Sequence, residues 1–181
     1  MKEPKPVRRL ITIDDENGRS RKIADGPPPD VRTDPARPGY SATRIWVTDR
    51  TPARIGSITE TLGRPHTLEP PPGGSVCRVV TFPPERGAPK VSASDVQAFF
   101  EVMGSPGAST AGTGAPHPYM QKTRTLDFCL VLEGEITLVL DTQEVSLRAG
   151  DTVVQRGTNH AWSNRSGVPC TIAFSSHDAV C

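Results

Sequence analysis

No run in this chain approaches the ~20 consecutive apolar residues that carry a helix across a bilayer. The opening MKEPKPVRRLITIDDENG holds no apolar core of the kind a secretory signal needs. No membrane association is expected, and a cytoplasmic location is. Charge of one sign is also lacking, since 21 Lys and Arg stand against 20 Asp and Glu. That balance provides no field for nucleic acid or an anionic surface. Cysteine is sparse, and Cys77, Cys129, Cys170 and Cys181 have no CxxC spacing. Small buried hydrophobes and a terminal thiol are expected of them, rather than a disulfide frame or zinc site. The glycine-rich GSPGASTAGTG lacks the lysine of a phosphate loop, and no G-x-S-x-G elbow occurs.

The most informative absence is proline. Eighteen of the 19 prolines lie in residues 1–118, the other is Pro169, and residues 119–168 have none. Proline removes an amide donor and is excluded from central strands. A regular, hydrogen-bonded C-terminal third is therefore expected after a loop-rich N-terminal two-thirds. The 181 residues suit one domain with a large appendage.

What is present reads as strands. Residues 7–13 and 19–24 flank Asn17-Gly18, a hairpin signal. Arg8, Arg9, Arg19, Arg21 and Lys22 give this hairpin a basic face, read as a solvated edge. Residues 41–49 and 76–82 are further strands. One helix is expected over about 93–103. Ser92 or Ser94 can cap it, Val96, Phe99, Phe100 and Met103 fall on one face, and Gly104 can stop it. Residues 105–116 show no apolar anchor and read as a mobile segment or lid. From Gln121 the pattern alternates. Thr123, Thr125, Asp127, Cys129 and Val131 share one parity, polar at one end and apolar at the other, as in a strand whose one end lines a wet cavity. Short strands then recur over 136–141, 143–150, 152–155, 160–163 and 171–175. That spacing indicates an antiparallel barrel or sandwich.

The stretch TRTLDFCLVLEGEITLVLDTQEVSLRAGDTVVQRGTNHAWSNRSG resembles the two-motif core of a cupin. Asp127 precedes Gly134 at the first motif's spacing; Gly150-Asp151, Gly157, His160 and Asn164 follow the second. The resemblance covers about residues 117–177. It implies a mainly β double-stranded β-helix (jelly-roll) barrel at 117–181, with 1–116 packed on it as extension strands, proline-rich loops and a short helix. The first part also resembles the extension of small bacterial and fungal cupins that accompany catabolic or secondary-metabolite enzymes.

Metal-binding cupins supply His-x-His, an acidic residue and the second-motif histidine. Those positions here are Gln121, Thr123, Asp127 and His160, and Arg156-Gly157 stands where the family has Pro-x-Gly. Two of four are strong ligand types, so no resident metal is expected. A divalent ion, if bound, would draw on His160, Asp127, Gln121 and His117. Without one, His160 and Asp127 are the candidate catalytic pair, as base and partner. Gln121, Thr123, Tyr119, Trp162 and Asn164 are the candidate substrate-binding residues. Each has a plainer alternative as core, strand pair or turn; His66 and His177 read as surface or strand-end residues. The expected function is proton-transfer chemistry (dehydration, isomerisation or decarboxylation) on a small carbonyl or carboxylic acid. The alternative is a non-catalytic metabolite-binding or accessory protein. A homodimer is expected, with a small molecule as ligand and no nucleic-acid partner.

Overall fold

A computed structural model describes residues 6–57 and 59–180. Two antiparallel sheets face each other. Their strands are β1 (Arg9–Asp14), β2 (Ser20–Gly26), β3 (Val31–Thr33), β4 (Ser41–Thr48), β5 (Ser75–Phe82), β6 (Thr125–Glu133), β7 (Glu135–Leu140), β8 (Glu144–Arg148), β9 (Thr152–Arg156), β10 (His160–Ser163) and β11 (Cys170–Asp178). The larger sheet runs β3-β4-β5-β11-β6-β9 and the smaller β10-β7-β8, with β1-β2 as a separate hairpin. This is a jelly-roll barrel, as the resemblance implied. β5 pairs with β11 along eight register positions, so a strand from the proline-rich part lies in the middle of the larger sheet. No helix among the described residues is long and apolar enough to cross a membrane.

Alternation explains the interior. On β6, Thr125, Asp127, Cys129 and Val131 are buried while Phe128, Leu130 and Leu132 lie outward and exposed. Cys129 and Val131 join the core cluster, and the polar residues of the same parity line a cavity. That confirms the expected parity. Of the nine Trp, Tyr and Phe residues, all but Trp46 and Phe128 belong to or pack against that core. Burial raises the Cys129 and Cys170 thiols to about 12, consistent with inert small hydrophobes. Cys181 lies outside the described residues.

The helix α1 (Ala93–Val102) forms where expected. Ser92 caps it, its hydroxyl accepting from the Asp95 amide while Asp95 accepts from the Ser92 amide. Val96, Phe99 and Phe100 face inward. Gly104 has φ +66°, and a side chain there would collide with the His66 carbonyl.

Three expectations need correction. Residues 105–116 are anchored at their start: Ala108 is buried in the core, the Ser105 hydroxyl accepts from the Leu68 amide, and Thr110 and Lys122 complete backbone bonds to Met120 and Ala108. Small size let Ala108 enter a core that composition alone did not suggest. The basic hairpin is not simply a solvated edge. Arg9 is buried, donating to Glu60 at 2.7 and 2.8 Å and to the Ile45 carbonyl at 2.7 Å. Its guanidinium holds the Glu60 carboxyl down to about 2. His66 is likewise interior, its Nδ1 3.2 Å from Asp30. Burial pushes its imidazole down to about 4, against the opposing pull of Asp30.

Candidate functional site

A cavity of about 70 Å³ opens where β5, β6, β10 and β11 converge under α1, bordered by the loop before β4. His160 enters from the first residue of β10. The Gln121 and His160 backbones exchange both hydrogen bonds, at 2.8 and 3.0 Å, which fixes the ring's base against the segment before β6. His160 Nδ1 lies 2.9 Å from the Thr158 carbonyl. A carbonyl can only accept, so Nδ1 carries the proton and Nε2 keeps a free lone pair. Gln121 Nε2 lies 3.5 Å from that lone pair, at the long limit of a hydrogen bond. Burial holds the imidazole below its usual pKa, more strongly than the Thr158 bond and the Asp127 charge raise it. The ring is therefore neutral at pH 7, with its basic nitrogen met only by the long Gln121 contact.

Asp127 sits on β6 opposite Gln155 of β9 and Ser176 of β11. Its Oδ2 accepts from Thr125 at 3.0 Å, and Thr125 is 2.8 Å from Thr123 through their hydroxyls. Its Oδ1 is buried with no protein partner. A buried carboxylate oxygen left this way favours a ligand O–H or N–H. Trp162 forms one wall, its ring centroid 6.0 Å from that of His160 and 5.6 Å from that of Phe174.

Tyr119 borders the cavity but is buried rather than spread over a mouth. Its hydroxyl donates to Asp34 at 3.1 Å, and the Arg37 guanidinium lies 3.6 Å from its ring centroid. Asn164 does not reach the cavity. Its amide donates to the Phe82 and Val168 carbonyls and its oxygen accepts from Ser166, so the side chain is saturated by the turn it holds. It is a turn residue here, correcting the expectation that it contacts substrate. His117 is also elsewhere. Its Nδ1 accepts from the Tyr119 amide at 3.2 Å and its Nε2 faces Glu85 at 3.3 Å.

The donor set therefore does not fit a cupin metal. His160 and Asp127 are the strong ligands, Gln121 and Thr123 offer weak neutral oxygens, and His117 is committed to Glu85. Among the described residues no three His, Cys, Asp or Glu side chains converge. Three such donors are the usual minimum for a catalytic site.

Sequence reasoning missed two residues that matter. Arg78 of β5 and Arg37 of the loop before β4 both line the cavity and are buried. Arg37 pairs with Asp34 at 2.7 Å and is enclosed by the rings of Tyr40, Phe99 and Tyr119. Arg78 has only the Leu68 and Thr67 carbonyls. Burial works against its charge, and the Asp127 carboxylate supports it. The signal for Arg78 was available: in VCRVVTF it has the parity of Val76, Val80 and Phe82. Nothing in the proline-rich stretch around Arg37 marked it.

Residues 106–176 match the cupin domain family. Phomopsin biosynthesis cluster protein C' of Diaporthe leptostromiformis is 56% identical over 48 residues, which are 26% of this chain and 25% of that protein. The cupin-domain-containing oxidoreductase virC of Hypocrea virens is 29% identical over 130 residues, 70% of this chain and 51% of that one. The chain thus spans about a quarter of the first relative and half of the second. Among solved structures, the Cnp3 cupin domain of Schizosaccharomyces pombe has a TM-score of 0.46 at 10% identity, over 97% of this chain and 89% of that one. With its jelly-roll barrel and both motifs in place, the chain carries a cupin domain over residues 106–176.

Proposed function

We propose that the cavity carries out proton transfer on a small carbonyl or carboxylic acid, by dehydration, isomerisation or decarboxylation. The observation that carries this reading is the His160 tautomer: Nδ1–H is committed to Thr158, and Nε2 lies beside the cavity, unprotonated. Such a nitrogen accepts a proton from a substrate C–H or O–H, and the imidazolium formed is stabilised by the Asp127 charge. A proton returned from the same nitrogen to a carbon or leaving oxygen completes each of these reactions without a redox centre. Gln121 and Thr123 supply polar contacts to the substrate, and Trp162 an apolar wall.

The names of the relatives support a setting in secondary metabolism, since phomopsin and oryzine cluster proteins are among them. Two relatives are named oxidoreductases. The donor set here favours acid–base chemistry over that reading, because it falls short of a metal's usual three strong ligands. The alternative is a non-catalytic metabolite binder built on the same cavity. A homodimer is retained as a proposal, with sedimentation velocity as its check; the outward Phe128 and Val154, facing each other across β6 and β9, are exposed apolar surface that a second copy would cover.

Incubation in D₂O with a panel of 2-hydroxy, 3-hydroxy, 2-enoic and 3-keto acids, read by mass spectrometry, tests the reaction. Deuterium incorporation or product formation by the wild type, lost in His160→Gln and Asp127→Asn, is expected. Conversion that persists in both folded variants would overturn the assignment. Tight ligand binding with no conversion would select the binder.

A further inference from the structure

Buried N–H groups left without partners identify what the cavity holds. Arg78 is 5% exposed and Arg37 8% exposed, and both line the cavity. Arg78 Nε and Arg37 Nη2 are buried donors with no acceptor in the protein. Both guanidinium groups border the same cavity wall as Tyr40. They differ in one respect. Arg37 is neutralised by Asp34 at 2.7 Å, whereas Arg78 has no carboxylate within ion-pair distance among the described residues and is bonded to main-chain carbonyls.

Asp127 is the negative group that Arg78 faces from a distance. β11 lies between β5 and β6, with Arg78 level with Phe174 and Asp127 level with Ser176, so the two residues stand two strand spacings apart and two positions offset along the strand, about 12 Å between backbones. The Asp127 charge supports that of Arg78 without pairing, and each keeps one unpartnered polar atom: a donor on Arg78, an acceptor on Asp127. A buried guanidinium N–H left empty costs more than a neutral one, and a planar carboxylate matches its fork. Between these ends the walls are the rings of Phe82, Phe99, Trp162 and Phe174.

We propose that Arg78, assisted by Arg37, is the anion anchor of this cavity, and that its ligand is a small, flat monocarboxylate carrying an O–H or N–H donor at its far end. The carboxylate occupies the unpartnered guanidinium N–H groups. An unsaturated or aromatic body lies between the rings, and the distal donor reaches Asp127 Oδ1 beside His160 Nε2. This deepens the proton-transfer reading and rests on it for the direction in which the ligand lies. The anchor itself does not depend on turnover.

Calorimetric titration with benzoate and crotonate, each against its neutral amide, tests the anchor. Both acids are expected to bind the wild type at least about tenfold more tightly than benzamide and crotonamide, the scale of a hydrogen bond to a charged group. Arg78→Met should bring the acid-to-amide ratio to within about twofold. Arg78→Lys, which keeps the charge but loses the planar fork, should give an intermediate ratio, and it decides the matter if Arg78→Met does not fold. His160→Gln should leave the ratio unchanged even where it abolishes conversion, which separates failure of the anchor from failure of the chemistry. A ratio near one in the wild type, or the full wild-type ratio in a folded Arg78 variant, would overturn the proposal.

Discussion

The proline-free stretch and the proline-rich stretch contribute different chemistry to one cavity. Residues 119–168 supply His160 and Asp127, on strands whose amides are needed for the ladder. The earlier residues supply Arg37, Tyr40, Arg78, Phe82 and Phe99. A histidine whose tautomer matters needs a rigid backbone, and β10 provides one through four register pairs to β7. Arg37 is positioned instead by enclosure in three aromatic rings and by Asp34, an arrangement that a stiff, irregular loop can offer. Family motifs therefore locate His160 and Asp127, the proposed acid–base pair, but not Arg37 and Arg78, the proposed ligand anchor.

The comparison breaks most visibly at the catalytic end. His160→Gln should lower turnover by about 10²–10⁴-fold, the span typical of a lost general base, with the melting temperature little changed. A turnover assay paired with thermal denaturation checks this. A melting temperature that falls in step with activity would make His160 a structural residue instead.

Core packing under the proline-rich side comes next. Phe100 is wholly buried on α1, and Phe100→Ala should cost about 3–5 kcal/mol in urea unfolding. The helix cap is smaller. Ser92→Ala removes half of the capping box and should cost about 0.5–2 kcal/mol by the same measurement, while Ser94→Ala, outside the capping position, should cost less.

A pH dependence of similar size to the cap follows. The folded His66 pKa of about 4 lies below its usual value of 6.5, so the unfolded chain takes up the proton first as pH falls. Burial shifts His160 in the same direction. The His66 contribution to stability is complete above about pH 6.5 and is lost as pH falls toward 4, and His160 adds to the loss in the same direction. Melting temperatures from pH 7 to 5 should decline, and less steeply in His66→Gln.

Much of this was legible in residues alone, and the reasons differ by element. The helix followed from Ser92, Asp95 and the Val96/Phe99/Phe100 spacing because capping and amphipathicity are local. The inward row of β6 followed from parity, and the barrel from the family resemblance that Gly134, Gly150 and His160 carry. Arg37 and the buried placement of Arg9 were not legible. Each is interior only because distant residues, Phe99 and Tyr119 for Arg37 or Glu60 and Ile45 for Arg9, meet it in three dimensions. Asn164 was misplaced because the sequence spacing says where it falls in a motif, not whether its amide is already satisfied.

The unprotonated Nε2 of His160 is the point on which the account turns, and nitrogen-resolved NMR of the His160 imidazole reads it directly. The account predicts a single Nδ1–H tautomer at pH 7 that protonates only below pH 6.5. An Nε2–H tautomer, or an imidazolium at pH 7, would contradict it.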